Sequence, residues 1–407
     1  MSDLPAVHVF EPNALGHRPL FLAWLLAEPP VERRWILHTT PEARRHPALA
    51  EMLRRPHANL TVVDLRQLAG TGARRSPFSL LERQFAKARA YRRGWLRHAR
   101  PGDSAFIPYY DDVAVALVLA PWLMEGMPLV TLGMRADFHR RRQGIASARP
   151  SRAQPLREFL LRRLLLRANG RCYLTNQLPL KRDVDQRWGA LARKVRFYPD
   201  PAPTPAPLPR DEARSRLGLP PGRPVVLCYG SLTDRKGVDH LFAALEDAAW
   251  PRDALAVCAG VSRGGVRHLL QGPRAESLIA QGLLSRRDRF IDAEEENLLF
   301  QAASAVWLVY DGHDDMSGCL VQAGLHRRPV VACANGLIGW YTRASAGGMI
   351  YDPTQRGSSL ERLAALLGDQ AGAAAAGDRL YACFRNHTMD QFRAHVLAAV
   401  LGRRTPR

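Results

Sequence analysis

Val225-Val-Leu-Cys-Tyr-Gly-Ser-Leu-Thr-Asp-Arg-Lys-Gly-Val-Asp239 is an apolar run followed by a glycine, two cations and a second glycine, and it leads into Leu241-Phe-Ala-Ala-Leu245. A strand buried on both faces reads as a continuous apolar run rather than as an alternation. The stretch is therefore read as a strand, a tight turn and a helix, the repeating unit of a parallel sheet. Gly230 lets the backbone turn at the strand end, Ser231 offers a hydroxyl, and Arg235 and Lys236 lie within reach of an anion there. Taken alone, the stretch also fits an ordinary turn with a solvated Arg-Lys pair.

The same pattern extends in both directions. Short apolar runs recur between helix-length spacers at Val7–Phe10, Trp35–Leu37, Leu60–Val63, Ala105–Ile107, Leu129–Leu132, Cys172–Leu174 and Val195–Tyr198. They resume at Ala254–Cys258, Arg289–Ile291, Ala305–Val309, Val330–Ala332 and Gly348–Tyr351. Between the two sets lies Pro199-Asp-Pro-Ala-Pro-Thr-Pro-Ala-Pro-Leu-Pro209, where proline is too dense for a helix or a sheet interior. The fold class expected is α/β, with two Rossmann-like, doubly wound parallel-sheet domains facing a central cleft. The boundaries are 1–199, a linker at 200–223, 224–380, and a C-terminal helix over 381–407 with the option of crossing back to the first domain. Ala371–Gly377 reads as a loop or frayed helix.

A second signal strengthens the first. Tyr310-Asp-Gly-His-Asp-Asp-Met-Ser-Gly-Cys-Leu-Val-Gln-Ala-Gly324 follows a buried run, and Ser317-Gly318 opens a helix whose N–H groups suit a phosphate. Pro329-Val-Val-Ala-Cys-Ala-Asn-Gly336 is another strand with a glycine-bearing turn.

This order of motifs, over about Val225 to Pro353, resembles the C-terminal domain of GT-B glycosyltransferases of the family 4 type. Tyr198-Pro-Asp-Pro201 and Gly16-His17 extend the resemblance weakly across the chain. It implies a nucleotide-sugar donor of UDP or GDP type in the second domain, an acceptor in the first, transfer with retention, and no metal or other cofactor. It places Lys236 on the donor diphosphate and Ser231 where the family has arginine, with Arg235 as its stand-in. The family's paired glutamates fall on Asp314, toward the donor sugar, and Gln322, toward the ribose. Gly16 and His17 are implied to approach the diphosphate or sugar, and Ile291-Asp292-Ala293-Glu294 to frame the base, which adds Asp292 to the donor site. In the first domain Gly133-Met-Arg-Ala-Asp-Phe-His139 ends a strand, so Arg135 and His139 are candidates to face sugar or acceptor with Asp137 orienting them; a solvated loop is the competing reading. Tyr109-Tyr-Asp-Asp112 is read as acceptor-binding or as a helix cap.

Charge points to a further partner. Residues 1–199 carry 34 Lys and Arg against 16 Asp and Glu, whereas residues 200–407 carry 24 against 22. The basic half is expected to face something anionic, either nucleic acid or an acidic membrane surface. Residues 78–97 and 140–167 both interleave arginines with apolar residues, a pattern for a membrane interface or for a helix packed on its own core. No recognised nucleic-acid motif accompanies the charge, so no nucleic-acid partner is expected. The longest apolar run, Val113–Met124, is far short of the roughly 20 residues that cross a bilayer. The acidic, proline-bearing N-terminus gives no secretory signal, so the expected location is the cytoplasm, peripheral on the inner face of its membrane. Six scattered cysteines fit buried thiols better than disulfides or zinc. Asp183-Val-Asp185 is read as helix surface rather than as a metal motif. The function expected is transfer of a sugar to a glycan or lipid-linked acceptor in bacterial surface polysaccharide or glycolipid synthesis. The alternatives are a non-catalytic nucleotide-sugar-binding protein, a nucleic-acid binder and a sugar-nucleotide epimerase.

Overall fold

The computed structural model describes residues 4–14, 18–65, 77–147 and 150–404. The chain divides into two compact units. The first takes the chain up to His139, then Ser151–Tyr198 and the stretch from Asp390; the second takes Arg140–Pro150 and Pro199–Met389.

The first unit is a seven-stranded parallel sheet built from β1 (Ala6–Phe10), β2 (Arg34–Thr39), β3 (Leu60–Asp64), β4 (Ser104–Ile107), β5 (Leu129–Leu132), β6 (Gly170–Thr175) and β7 (Val195–Phe197). Its order is β3-β2-β1-β4-β5-β6-β7, with Val7 opposite both Trp35 and Ser104. The chain moves outward from β1 to β3 and then returns to lay β4 on the other side of β1, so the switch point lies between β1 and β4. Successive side chains alternate between two cores. Phe10, Ile107, Leu129 and Tyr173 join Tyr91, Trp95 and Leu161 on one face, and Val9, Phe106, Val130 and Leu174 join Leu22, Phe392 and Val396 on the other.

The second unit is a six-stranded parallel sheet of β8 (Val225–Tyr229), β9 (Leu255–Ala259), β10 (Leu284–Arg287), β11 (Ala305–Leu308), β12 (Val330–Ala332) and β13 (Gly348–Ile350). Its order, β10-β9-β8-β11-β12-β13, repeats the same winding, with the switch point between β8 and β11. Its core is formed around Phe242, Leu245, Trp250 and Trp307, each almost wholly buried. Burying a side chain of this kind contributes about 1.5–3 kcal/mol. Both units are thus doubly wound Rossmann-like α/β sheets.

Several local readings change. The run Arg289–Ile291 is not a strand: β10 lies earlier, at Leu284–Arg287, and Phe290 is 77% exposed. As the edge strand, β10 buries too little to need an apolar sequence. Ala371–Gly377 is not a loop but part of the helix Gln370–Phe384. In the basic helix Pro77–His98, Ala88, Tyr91 and Trp95 pack into the core, so that stripe faces inward. Asp183 is buried, bonded to Arg187 at 3.0 Å, while Asp185 is exposed. A buried chain, Asp103 to His8 Nε2 at 3.1 Å and His8 Nδ1 to His38 Nε2 at 3.0 Å, ties β1, β2 and the start of β4 together. Burial first, and the neighbouring His8 and His98, push His38 down to about 3, so it is neutral.

Candidate functional site

The carboxyl ends of β8 and β11 flank the switch point of the second unit, the place where doubly wound sheets hold ligands. Beyond β8, Gly230 has φ +108°, a conformation that side-chain-bearing residues avoid. A Cβ there would also stand 3.2 Å from Lys236 Nζ. The turn Asp234–Lys236 closes on Gly237 (φ +60°), where a Cβ would meet the Val309 carbonyl at 1.8 Å. Trp307 of β11 donates from Nε1 to the Gly237 carbonyl at 3.1 Å, locking the turn to the sheet.

This packing carries Lys236 inward until it is 5% exposed. Its ammonium donates to the Tyr229 carbonyl at 2.9 Å and the Tyr310 hydroxyl at 2.5 Å, with Cys319 Sγ at 3.3 Å. Burial opposes the charge, but Cys319 and Tyr310 more than offset it, so the lysine stays above its ordinary pKa and cationic. Burial first, and then Cys319, raise the Tyr310 phenol. Cys319 lies in the first turn of the helix Gly318–Leu325, capped by the buried Ser317, whose side chain makes no capping bond. The first N–H groups of a helix have no intrahelical acceptor, and the dipole adds positive potential beside the ammonium. Gly230, Lys236, Ser317 and Gly318 therefore converge on one cationic point.

Arg235 is exposed, with Nη1 at 3.2 Å from His313 Nδ1. Ser231 is exposed beside it. Asp314 accepts from Arg140 Nη1 at 3.2 Å and from the Ser147 hydroxyl, while Arg140 Nη2 reaches Asp315 at 2.5 Å. Gln322 donates to Glu296 at 2.9 Å, and its Oε1 is buried without a hydrogen-bond partner among the described residues. Burial raises the Glu296 pKa despite hydrogen bonds from Tyr229 and Gln322. A cavity of about 440 Å³ lies between these two side chains and residues 203–208. Asp292 spends its carboxylate as a helix cap on the Glu295 N–H at 2.8 Å.

In the first unit, Gly16 and His17 lie outside the described residues. The switch point there holds Glu11, Asn13, Arg18, Lys87 and Asp112, which sequence reasoning missed apart from Asp112. Arg18 bonds Asp112 at 2.5 and 3.2 Å and lies 3.9 Å over the Tyr109 ring, and Lys87 reaches Asp112 at 2.8 Å. Glu11 is pushed up to about 7 by burial, with Arg18 and Asn13 offsetting only part. Arg135 is exposed, its N–H on Asp111 at 3.3 Å. His139 is wholly buried, and Asp137 pairs with Arg157 instead of orienting Arg135 or His139. Asp239, His240 and Asp311, two exposed and one half-buried, bring their ligand atoms within 4.8 Å of one another.

No family model matches the sequence, and no curated protein matches it significantly. Solved structures do match it in fold. HepE from Anabaena in complex with UDP aligns with a TM-score of 0.66 at 15% identity, covering 98% of this chain and 100% of that one. Sucrose-phosphate synthase from Thermosynechococcus elongatus gives 0.61 at 17% identity, covering 98% and 97%. WaaG, a glycosyltransferase involved in lipopolysaccharide biosynthesis, gives 0.61 at 13% identity, covering 97% and 100%. The fold is the two-domain GT-B arrangement that these proteins share.

Proposed function

We propose that this protein is a glycosyltransferase that takes a sugar from a nucleotide-sugar donor and passes it to a glycan or lipid-linked acceptor. The observation that carries the reading is the convergence of Lys236 Nζ, the Gly230 turn and the start of the Gly318–Leu325 helix at the switch point between β8 and β11. A buried, permanently charged ammonium beside a helix start suits a diphosphate. The fold neighbour HepE was solved with UDP and with UDP-glucose, which favours a UDP-type donor.

Breaking a sugar-phosphate bond builds positive charge on the anomeric carbon and negative charge on the departing diphosphate. Lys236 and the Ser317-Gly318 N–H groups are fixed in advance where that negative charge develops, so they bind the transition state better than the ground state. Arg235, exposed and beside His313, is assigned the outer phosphate oxygens. Because these cations do the neutralising, we expect transfer without a metal. Gln322, whose amide oxygen has no hydrogen-bond partner among the described residues, and Glu296, which accepts from its amide nitrogen, suit ribose hydroxyls. Asp314 is assigned the donor sugar, Asp292 the frame of the base through backbone, and Gly16 and His17 an approach to the diphosphate. Arg135 keeps an acceptor-facing role; buried His139 supports its loop. Retention follows from the family resemblance.

The acceptor reading extends to a membrane. Leu119, Trp122 and Leu166 are all more than half exposed on the basic first unit, and Arg167 donates to the Val118 carbonyl at 3.0 Å within that patch. Exposed apolar side chains with Arg167 among them, on a unit rich in arginine, complement an anionic leaflet. We place the protein on the cytoplasmic face, acting on surface polysaccharide or glycolipid.

One observation favours a second reading, a nucleotide-sugar-binding protein without transfer: Asp314 already accepts hydrogen bonds from Arg140 and Ser147, which a donor sugar would have to share. Thermal-shift screening against nucleotide-sugars, followed by donor-hydrolysis assays with the best ligand, tests both. Stabilisation by about 2.7 kcal/mol at 100 times Kd together with turnover supports the transferase, stabilisation without turnover supports the binding protein, and no stabilisation by any donor ends both.

A further inference from the structure

A cavity of about 500 Å³ in the second unit lies between residues 204–210, the end of the Gly318–Leu325 helix and the helix Gln370–Phe384; Lys236 is not among its lining residues, and it adjoins the cavity beside Gln322 and Glu296 through Thr204, Pro205 and His326. Its charge is one-sided. Arg210, Arg327, Arg328 and Arg385 line it against a single carboxylate, Asp378. Asp378 is already committed to Arg327 at 2.6 Å, and the Arg327 guanidinium lies 4.0 Å over the Tyr381 ring. Among the described residues no carboxylate pairs with Arg210, Arg328 or Arg385.

Arg328 donates only to neutral acceptors, the Phe300 carbonyl and Gln301 Oε1, both at 3.0 Å. Burial, and then the neighbouring Arg210 and Arg214 cations, push Arg328 down to about 10. Arg210 has a buried Nε with no hydrogen-bond partner among the described residues. Arg327, at φ +55°, is the left-handed residue that ends the Gly318–Leu325 helix, with the Arg328 N–H returning to the Ala323 carbonyl at 2.8 Å. The Gln370–Phe384 helix packs against this turn so closely that a Cβ at Gly377 would stand 2.1 Å from the Arg327 carbonyl oxygen. Three guanidiniums that form no ion pair with a carboxylate among the described residues converge on one cavity, Asp211 offsetting part of the charge of Arg210; they repel one another until an anion joins them, and their forked geometry matches phosphate oxygens. The cavity exceeds the needs of a bare phosphate, and Leu325 and Tyr381 give it apolar wall.

We propose that this cavity is a second anion site, separate from the Lys236 cluster, that takes a soluble small molecule bearing a phosphate monoester or pyrophosphate. The proposal stands whether or not the donor reading holds. The test is calorimetric titration of inorganic pyrophosphate, and of glucose 1-phosphate, into the full-length Lys236→Ala chain at low salt, so that the other cationic point is disabled. One site with Kd on the order of 1 mM or tighter is expected, weakened about tenfold or more by Arg210→Gln with Arg385→Gln. Ala374→Glu, on an exposed helix position lining the cavity, places a fixed negative charge there without touching the core, and is expected to abolish binding if the double variant misfolds. Binding unchanged within twofold in folded variants, or no heat up to about 10 mM, overturns the proposal. Displacement of pyrophosphate by phosphatidylglycerol vesicles but not by glucose 1-phosphate overturns the assignment to a soluble ligand.

Discussion

The ammonium of Lys236 donates to the phenol oxygen of Tyr310 at 2.5 Å, and that phenol is itself held protonated by burial. The lysine is thereby aimed as well as charged. Lys236→Ala is expected to lower kcat/KM by about 10²–10³-fold, the usual cost of one preorganised charge-stabilising group. Tyr310→Phe keeps the cation but loosens its aim. It should raise KM several-fold while costing about 1 kcal/mol of stability. Donor kinetics on both variants check this, and a Lys236→Ala enzyme within a few-fold of wild type removes the lysine from the site.

Gly230 is positioned by its φ of +108° and by the 3.2 Å separation between a would-be Cβ and Lys236 Nζ. Gly230→Ala should cost about 1–3 kcal/mol through backbone strain, read as a lower calorimetric midpoint. It should also weaken UDP binding, because the ammonium must move. Full UDP affinity in a folded Gly230→Ala chain would show that the turn does not shape the phosphate site.

Gln322→Glu sets a second carboxylate against Glu296, whose pKa burial already raises. Two like charges in contact cannot both ionise cheaply. The folded pair therefore keeps a proton that the unfolded chain has lost, so the variant should lose stability relative to wild type as pH rises from about 5 to 8. Denaturant midpoints at the two pH values measure the difference, and a pH-independent gap would mean that the carboxylates do not interact.

Glu11 carries the opposite experiment. Its carboxyl titrates near 7 in the folded chain against an ordinary value of 4.5, because it is buried. Between those values the folded chain holds a proton that the unfolded chain has released, so stability falls across this window and the whole cost is present above it. Glu11→Gln should match wild type near pH 5 and exceed it near pH 8. Equal stability at both pH values would place Arg18 as a full counter-charge.

Trp122 is 63% exposed beside Leu119. Replacing both with serine removes exposed apolar surface without entering the core; if this surface meets the membrane as proposed, flotation with phosphatidylglycerol vesicles should fall sharply while donor binding stays unchanged. Equal flotation would leave the arginines alone as the anchor.

What the sequence revealed, and what it concealed, follows from the distance over which each feature is encoded. β8, Gly230, the Arg235-Lys236 pair and the Ser317-Gly318 helix start are each written within a dozen residues, so the strand, the turn and the helix start were readable from local sequence. The partners that give those residues their character were not. Tyr310 reaches Lys236 across 74 positions, and Arg140 reaches Asp314 across 174. The Glu11 cluster was missed because its charges come from four separate stretches and meet only when β1 and β4 become neighbours. β10 was misplaced because Leu-Ser-Arg-Arg lacks the apolar run that marks an inner strand. Buried Asp183 and His139 looked like surface and site because a lone polar residue does not announce the pocket of protein that will enclose it.

The path of the backbone through the two units also limits how the molecule can be taken apart. Phe392 and Val396 complete the core of the first unit although they lie beyond the end of the second, and residues 140–150 belong to the second although they are flanked by the first. A protease nick in the proline stretch would therefore release no autonomous half. Each fragment would keep a piece of the other's interior.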